Sequence, residues 1–476
     1  MRLAVFSGGT ATNELVGLFG EIFPQITYII PISDNGGSTS ELIRVIGGPA
    51  IGDIRSRLTR LIPPHQDRLR NLLSFRLSKD PKDAKDQWAD IVDGTHPIWQ
   101  GILPSTKELI RSFFIHVNVE LLKRSRPPSA ANATKSYRFE LANLGNLFLT
   151  GVRLFVGSLD SAIELFSRIT GIDPNVEVFP CINTNFSYHI SALLENGNII
   201  TGQSQISHPS LTTAPDVYPP PFSNTQPPSP QIMASTPDIS SPPVLEFGIE
   251  SDSLIMTPST PAPQINVVSP ARRLSEGSVL SSDDEAGNLP QYIHPELKKS
   301  QLHFSKCEDT PLLSPIKRIF YISPYGQEIC PIGYARATAS VTNCDVLVYS
   351  IGSLMTSIVP IIILRNMGKA IVTGPARKIL LLNGCTDRET AGMAGEDFVR
   401  AIVDAARYSI DNSKSAVHLT GQWDQFVTDI VYLEHGIPVN TELLEHMGVK
   451  CHQVEGRDVY NEEALKRVLI RLTSPN

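Results

Sequence analysis

Residues 3–13 read Leu3-Ala4-Val5-Phe6-Ser7-Gly8-Gly9-Thr10-Ala11-Thr12-Asn13, and this stretch decides the fold class. Four apolar residues closed off by a glycine pair are too few for a helix and suit a buried strand that ends in a tight turn. A helical stretch follows from about Asn13 to Gly20. The same order recurs at Ile26–Ile32, which runs into Ser33-Asp34-Asn35-Gly36-Gly37-Ser38 and a helix starting near Thr39. It recurs again at Asp345–Ser350, followed by Ile351-Gly352-Ser353 and a helix. Lys369–Thr373 and Lys378–Leu382 read as further strands. Strands that alternate with helices need crossover connections, so the expectation is an α/β fold with a mostly parallel sheet flanked by helices. Glu195-Asn196-Gly197-Asn198, between His189–Leu194 and Ile199–Thr201, predicts a hairpin and an antiparallel addition.

Working outward, the composition shifts near His208 and shifts back near Ile316. Residues 208–315 hold about half of the chain's 37 prolines and few apolar runs. Such a segment buries too little surface to offset the entropy of ordering, so it reads as a long disordered Ser/Pro-rich insert. The expected organisation is one discontinuous α/β domain, 1–207 and 316–476, carrying this insert. Arg272-Arg273-Leu274-Ser275, the acidic run after Ser281 and Ser282, and Ser-Pro or Thr-Pro pairs at Ser229, Thr236, Thr257, Thr260 and Ser269 suit kinases as partners.

The net charge of −7 gives no bulk attraction for nucleic acid or an anionic membrane. The start is too short an apolar run for a signal peptide. Val359–Leu364 falls far short of the roughly 18 residues needed to span a bilayer. The cysteines Cys181, Cys307, Cys330, Cys344, Cys385 and Cys451 form no Cys-x-x-Cys pair, which reads as free buried thiols in a reducing compartment. The expectation is therefore a cytoplasmic or nuclear protein with neither nucleic-acid nor membrane partners. Apolar helix faces would suit a homodimer.

Three glycine-rich corners carry the chemistry. In parallel sheets ligands sit at the carboxyl ends of strands, and a helix start offers unpaired N–H groups to an anion. At the first corner Gly8 and Gly9 let backbone approach an oxygen-rich group, with Thr10 and Asn13 beside them. At the second, Asp34 can hold Mg²⁺ or a ribose hydroxyl, and Gly36, Gly37 and Ser38 repeat the cradle; ordinary turn chemistry with Ser38 or Thr39 capping the helix reads the same residues equally well. At the third, Gly352, Ser353, Thr356 and Ser357 cluster hydroxyls at a helix start, with Ser353 as the natural cap. Asp53, Arg55 and Arg57 add a carboxylate and two phosphate-clamp arginines. Asn143 and Asn146 in an apolar helix are either core polar groups or ligand contacts. Neither G-x-G-x-x-G nor the Walker lysine loop, H-E-x-x-H or G-x-S-x-G occurs at these turns, which disfavours nicotinamide, ATPase, zinc-hydrolase and triad-esterase readings.

Taken in order, Ser7–Asn13, Ser33–Ser38, Gly52-Asp53-Ile54-Arg55, Gly145-Asn146 and Gly352-Ser353-Leu354-x-Thr356-Ser357 resemble the signature of the CofD/YvcK family. That family includes 2-phospho-L-lactate transferase and the bacterial gluconeogenesis factor. The resemblance implies a Rossmann-like fold. Its transferase members move a phospholactyl group from a guanosine-diphosphate-linked donor to a deazaflavin precursor, with Mg²⁺ as cofactor. Its gluconeogenesis-factor members bind UDP-sugars and have a role in carbon metabolism and cell shape, which implies a non-catalytic UDP-sugar-binding regulator of carbon metabolism as the alternative. The resemblance places a nucleotide-linked small molecule, of UDP-sugar or GDP type, along Gly8, Gly9, Thr10, Asp34, Asn146 and Gly352–Ser357, with Asp34 as metal ligand. Asp34 and Asp53 are the candidate catalytic residues. Asn35 stands where the bacterial pattern has a second acidic residue, Gln203 where it has Glu, and Ile351 where Pro is common. The stretch around Asn383, Thr386 and Glu389-Thr390 resembles a shortened Asn-x-x-Thr…Gly-Glu-Thr. Transferase and non-catalytic regulator both remain open on the sequence.

Overall fold

The computed structural model describes residues 1–34, 36–125, 136–207, 311–323, 325–413, 419 and 421–474. Their strands, in chain order, are β1 (Arg2–Phe6), β2 (Gln25–Ile30), β3 (Val176–Pro180), β4 (His189–Leu194), β5 (Ile199–Thr201), β6 (Ile316–Ile322), β7 (Glu328–Ile329), β8 (Val346–Tyr349), β9 (Arg377–Leu381), β10 (Asp429–Leu433) and β11 (Lys450–Val454). Seven of them form one sheet in the order β11-β10-β9-β8-β1-β2-β3, and every neighbouring pair in it is parallel. The reason lies in the residues. Leu3–Phe6 and Val346–Tyr349 are buried at four consecutive positions each. A strand covered on both faces reads as a continuous apolar run, which only a sheet with helices on both sides can satisfy.

The chain builds β1, β2 and β3 outward in one direction. It then returns to the other flank of β1 with β8 and continues to β11. The order therefore reverses between β1 and β8, and the crevice at the carboxyl ends of those two strands is where open α/β sheets of Rossmann type bind ligands. Phe6 pairs with Tyr349 in register, so the corners that begin at Ser7 and Ser350 leave the sheet side by side. The expected Rossmann-like architecture is present. The hairpin is too: β4 and β5 pair antiparallel around Gly197, whose φ of 86° suits the turn. A second sheet, β5-β4-β6-β7, extends from it. That β4, from the first part of the chain, pairs with β6, from the last part, makes the two parts contribute to one sheet.

One expected strand is a helix. Lys369–Thr373 lies inside the helix Met367–Thr373. Its run Ala370-Ile371-Val372 is short and apolar and fits either state, but Met367, Ala370 and Ile371 share a buried helical face. Gly368 decides the matter. A Cβ there would come within 2.3 Å of the Ala406 carbonyl oxygen, so only glycine permits this closeness to the helix Gly395–Asn412. Other boundaries shift slightly. The first helix is a 3-10 turn at Ala11–Glu14 followed by Val16–Ile22, and the second begins at Gly37, not Thr39.

The insert expected over 208–315, with its kinase sites, lies outside the described residues as far as 310. Its last five residues are described: Glu195 N–H donates to the Pro315 carbonyl and Leu312 packs on the core, so the folded part begins before Ile316. The cysteines correct another expectation. Cys181, Cys330, Cys344, Cys385 and Cys451 are free, but only Cys181 and Cys344 are buried and Cys385 is exposed; Cys307 lies outside the described residues. No helix among the described residues is long and apolar enough to cross a membrane.

Candidate functional site

The first corner is held by the helix Gly52–Leu61. Arg57, fully buried, donates from Nη2 to the Gly8 carbonyl at 3.1 Å and stacks its guanidinium over Tyr28 at 4.6 Å. Ser56 Oγ and Asn13 Nδ2 both donate to the Gly9 carbonyl, at 2.8 and 2.7 Å. With those carbonyls committed, the Gly9 N–H donates to the Asp53 carboxylate. The fit leaves no room for a side chain: a Cβ on Gly9 would lie 2.5 Å from Asp53 Cα, and one on Gly8 would lie 2.7 Å from Ser357 Oγ. Thr12 Oγ1 donates to Ser350 Oγ at 2.9 Å, which ties this corner to the end of β8. Thr10 is exposed.

At the second corner Asp34 Oδ1 accepts the Gly36 N–H at 2.9 Å; Asn35 lies outside the described residues. Neither Ser38 nor Thr39 caps the helix Gly37–Val45, which starts on Gly36 with no side-chain cap. Ser38 Oγ instead accepts from the backbone N–H of Asn143 and from Asn146 Nδ2, both at 3.2 Å. Asn143 is the true cap here, accepting the Asn146 N–H at the start of Leu144–Val156. Asn146 Oδ1 accepts from Arg55 Nε at 3.1 Å. This buried amide therefore links the Ser38 corner to Arg55.

Asp34 and Asp53 meet beneath these corners. A Cβ on Gly52 would lie 3.1 Å from Asp34 Oδ2 and 2.6 Å from Thr39 Oγ1, so the helix start that carries Asp53 presses directly against Asp34. Both residues are half-buried, with carboxyl groups enclosed. Burial, then the Asp34 charge, pushes Asp53 up to about 7, against the pull of the Gly9 N–H and of Arg57 and Arg55. Burial likewise raises Asp34, opposed by the Gly36 N–H and by Arg55. Burial lowers Arg55 to about 10, helped by Arg76 close by; its guanidinium stays charged at neutral pH. Two carboxylates from separate segments thus share one enclosed spot, with arginines at its edge. Hard oxygen donors of this kind suit a divalent cation such as Mg²⁺.

The third corner turns on Gly352, whose φ of 126° is open to glycine and strained for other residues. Asn383 grips it from both sides, accepting the Gly352 N–H at 3.0 Å and donating to its carbonyl at 2.8 Å. The helix then opens as a π turn, Leu354–Ile358, continued by Val359–Ile362. Ser353 sits at the cap position but makes no cap bond. Its hydroxyl goes to Glu389, the carboxyl that also receives the Thr356 N–H at 3.1 Å and the Thr356 hydroxyl at 2.6 Å. Thr356 is buried, and Ser357 faces Gly8.

The structure therefore gathers Gly8, Gly9, Asn13, Asp34, Asp53, Arg55, Asn146 and Gly352 to Ser357 around the β1/β8 switch point. Residues that pattern reading passed over complete the frame: Ser56, Arg76 and Ser207 carry no motif of their own, since nothing in their local sequence marks them. Glu389 and Asn383 were visible only as part of a family-like stretch.

Comparison with known proteins identifies the family. The family model described as "2-phospho-L-lactate transferase CofD" matches residues 3–468. The uncharacterized protein YNL011C of Saccharomyces cerevisiae is 43% identical over 488 residues, covering 100% of both chains. Two crystal structures of protein BH3568 from Bacillus halodurans, one titled as a member of the UPF0052 family, superimpose with a TM-score of 0.53 at 17% identity, over 98% of this chain and 99% of theirs; at that identity they bear on the fold alone. With a match running from β1 into the last helix, through every corner described above, the chain belongs to the CofD family.

Proposed function

We propose that this chain is a transferase that moves a phosphorus-containing group from a nucleoside-diphosphate-linked donor to a hydroxyl acceptor, with Mg²⁺. The observation that carries the reading is the Asp34–Asp53 pair under Gly8–Gly9, facing the helix start at Gly352–Ser357. Family membership supports a phosphoryl-transferase-like role, and the pair supplies what such a reaction needs.

The roles divide by environment. Asp34 is the candidate metal ligand; bound there, Mg²⁺ would neutralise charge on the diphosphate oxygens. Asp53, pushed up to about 7, is poised to take the proton of an acceptor hydroxyl at neutral pH. Arg55, still cationic, and the N–H groups of the first turn after Gly352 would face the phosphate. The acceptor oxygen would attack phosphorus, the diphosphate bridge would break, and the nucleoside monophosphate would leave. Positioning and charge provide most of the catalysis in such transfers.

The regulator reading uses the same crevice without turnover, with a UDP-sugar as ligand. A stabilisation screen of GDP compounds, UDP-sugars and free nucleotides, with and without Mg²⁺, followed by assay for released nucleoside monophosphate, separates the two. Release that vanishes in Asp53→Asn supports the transferase. Stabilisation by UDP-sugars with no release overturns it in favour of the regulator.

A further inference from the structure

Behind the third corner lies a cluster that the proposed reaction does not use. Glu389 is buried at 4% exposure, Thr356 at 2% and Ser207 at 3%. Three oxygens form a triangle: Glu389 Oε1 to Thr356 Oγ1 at 2.6 Å, Thr356 Oγ1 to Ser207 Oγ at 2.9 Å, and Ser207 Oγ to Glu389 Oε1 in a hydrogen-bonded contact that closes it. Each of the three distances requires a hydrogen between the oxygens. Two hydroxyls supply only two protons. With a carboxylate at Glu389, both hydroxyls would donate to it and the Ser207–Thr356 contact would set lone pair against lone pair. A carboxylic acid supplies the third proton and closes the ring: Glu389 donates to Ser207, Ser207 to Thr356, and Thr356 back to Glu389. Its other oxygen still accepts the Thr356 N–H.

We propose that Glu389 is a positioning residue for the Gly352–Ser357 turn, held as a neutral carboxylic acid whose proton completes this ring. The proposal rests on the reading of that turn as the phosphate-facing loop, and it names how the loop is kept receptive. A carboxylate bonded directly to the loop's own N–H would set a negative charge against an anionic ligand; a neutral acid makes the same bonds without that charge. The ring also fastens the turn to the end of the short helix Gln203–Ser207. Arg388 secures that helix end from the other side by donating to the Gln205 and Ile206 carbonyls.

The charged neighbours agree. Asp387, whose Oδ1 accepts the Glu389 N–H at 3.0 Å, opposes ionisation, and burial opposes it more strongly; together they push Glu389 up to about 7. The uncharged partners facing it from the helix Gln203–Ser207 and from the turn, Ser207, Thr356 and Ser353, pull the other way through their hydrogen bonds and are outweighed. Asp34 and Asp53 titrate in the same crevice, so the test compares the protein with a variant at Glu389 alone. Glu389→Gln retains an N–H donor and an oxygen acceptor and stays neutral at every pH.

The first arm needs no ligand. Infrared difference spectra of the full chain between pH 6 and pH 8.5 should contain a carboxylic-acid carbonyl band that is absent from Glu389→Gln; spectra that are identical overturn the proposal. Ser207→Ala leaves the acid proton without its acceptor and should move that band, and an unmoved band overturns the ring. The second arm measures GDP affinity at fixed Mg²⁺. Relative to Glu389→Gln, the wild-type chain should lose up to roughly thirtyfold between pH 6 and pH 8.5, from an acid titrating about 7 that binds the anion only when neutral. A wild-type to variant ratio that stays constant with pH overturns the proposal. GDP that binds neither protein at any pH, with the acid band present, instead overturns the phosphate-loop reading while leaving the protonated ring supported.

Discussion

Gly9→Ala tests the packing on which the site depends, because the same substitution elsewhere in this segment should act with the opposite sign. A methyl group on Gly9 would meet Asp53 Cα at 2.5 Å and Asp53 Oδ1 at 2.4 Å. Ordinary carbon contacts lie at about 3.5–4 Å, so the start of the helix Gly52–Leu61 must retreat by roughly 1 Å. Backbone shifts of that kind cost about 1–3 kcal/mol. At Gly17 and Gly20, in the helix Val16–Ile22, an added Cβ meets nothing within 4 Å. There Gly→Ala should stabilise by about 0.5–1 kcal/mol through helix propensity. Urea unfolding of the three variants at pH 7 gives the signs directly, and the Mg²⁺-dependent stabilisation by GDP should fall in Gly9→Ala because Asp53 has been displaced. If Gly9→Ala proves as harmless as Gly17→Ala, the close seating of the first corner on Asp53 is wrong.

Other expectations follow from single contacts. Asp429 is buried, and although burial would raise its carboxyl, hydrogen bonds from His452, Arg377 and Thr428 outweigh it and hold it well below the usual range; its contribution is present above the unfolded value of 3.8 and is lost as pH falls below that. Asp429→Asn should therefore cost about 3 kcal/mol at pH 7, with the difference from wild type shrinking in unfolding curves taken below pH 4. Gly352→Ala forces a side chain into a backbone region with φ of 126°, for a cost of about 1–3 kcal/mol in thermal unfolding; Asn383→Ala should leave stability nearer to wild type but weaken GDP binding, since the turn loses both its clamps. Gly145→Ala would place a methyl 2.3 Å from the Leu73 carbonyl oxygen and 2.9 Å from Arg55 Cδ, so calorimetry should register both a loss of stability and a loss of nucleotide affinity as Arg55 is pushed aside.

Much of the fold could be read because its signal is local. Leu3–Phe6 and the run inside Asp345–Ser350 are apolar without alternation, the mark of strands covered on both faces, and each ends in glycine. The Asn196-Gly197 turn specified its hairpin in the same way. Lys369–Thr373 misled because a run of three apolar residues fits either secondary structure; Gly368, whose closeness to Ala406 is a tertiary fact, settled it. The candidate site was legible at its backbone corners and not at its supports. Asp34 seemed to lack a second carboxylate because Asn35 follows it, yet Asp53 arrives from another segment. Arg57 reads as a phosphate clamp but lies fully buried, holding the Gly8 carbonyl. The Ser353 cap was a sound local inference that Glu389, 36 positions further along the chain, overrides.

The central claim is that glycine corners far apart in the chain close on one metal-bound nucleoside diphosphate. A crystal soaked with GDP and Mn²⁺ tests it most directly. The account predicts an anomalous Mn²⁺ peak at Asp34, beside Asp53, with the diphosphate lying between Gly8–Gly9 and the Gly352–Ser357 turn. Manganese and nucleotide bound together at any other place on the chain would contradict it.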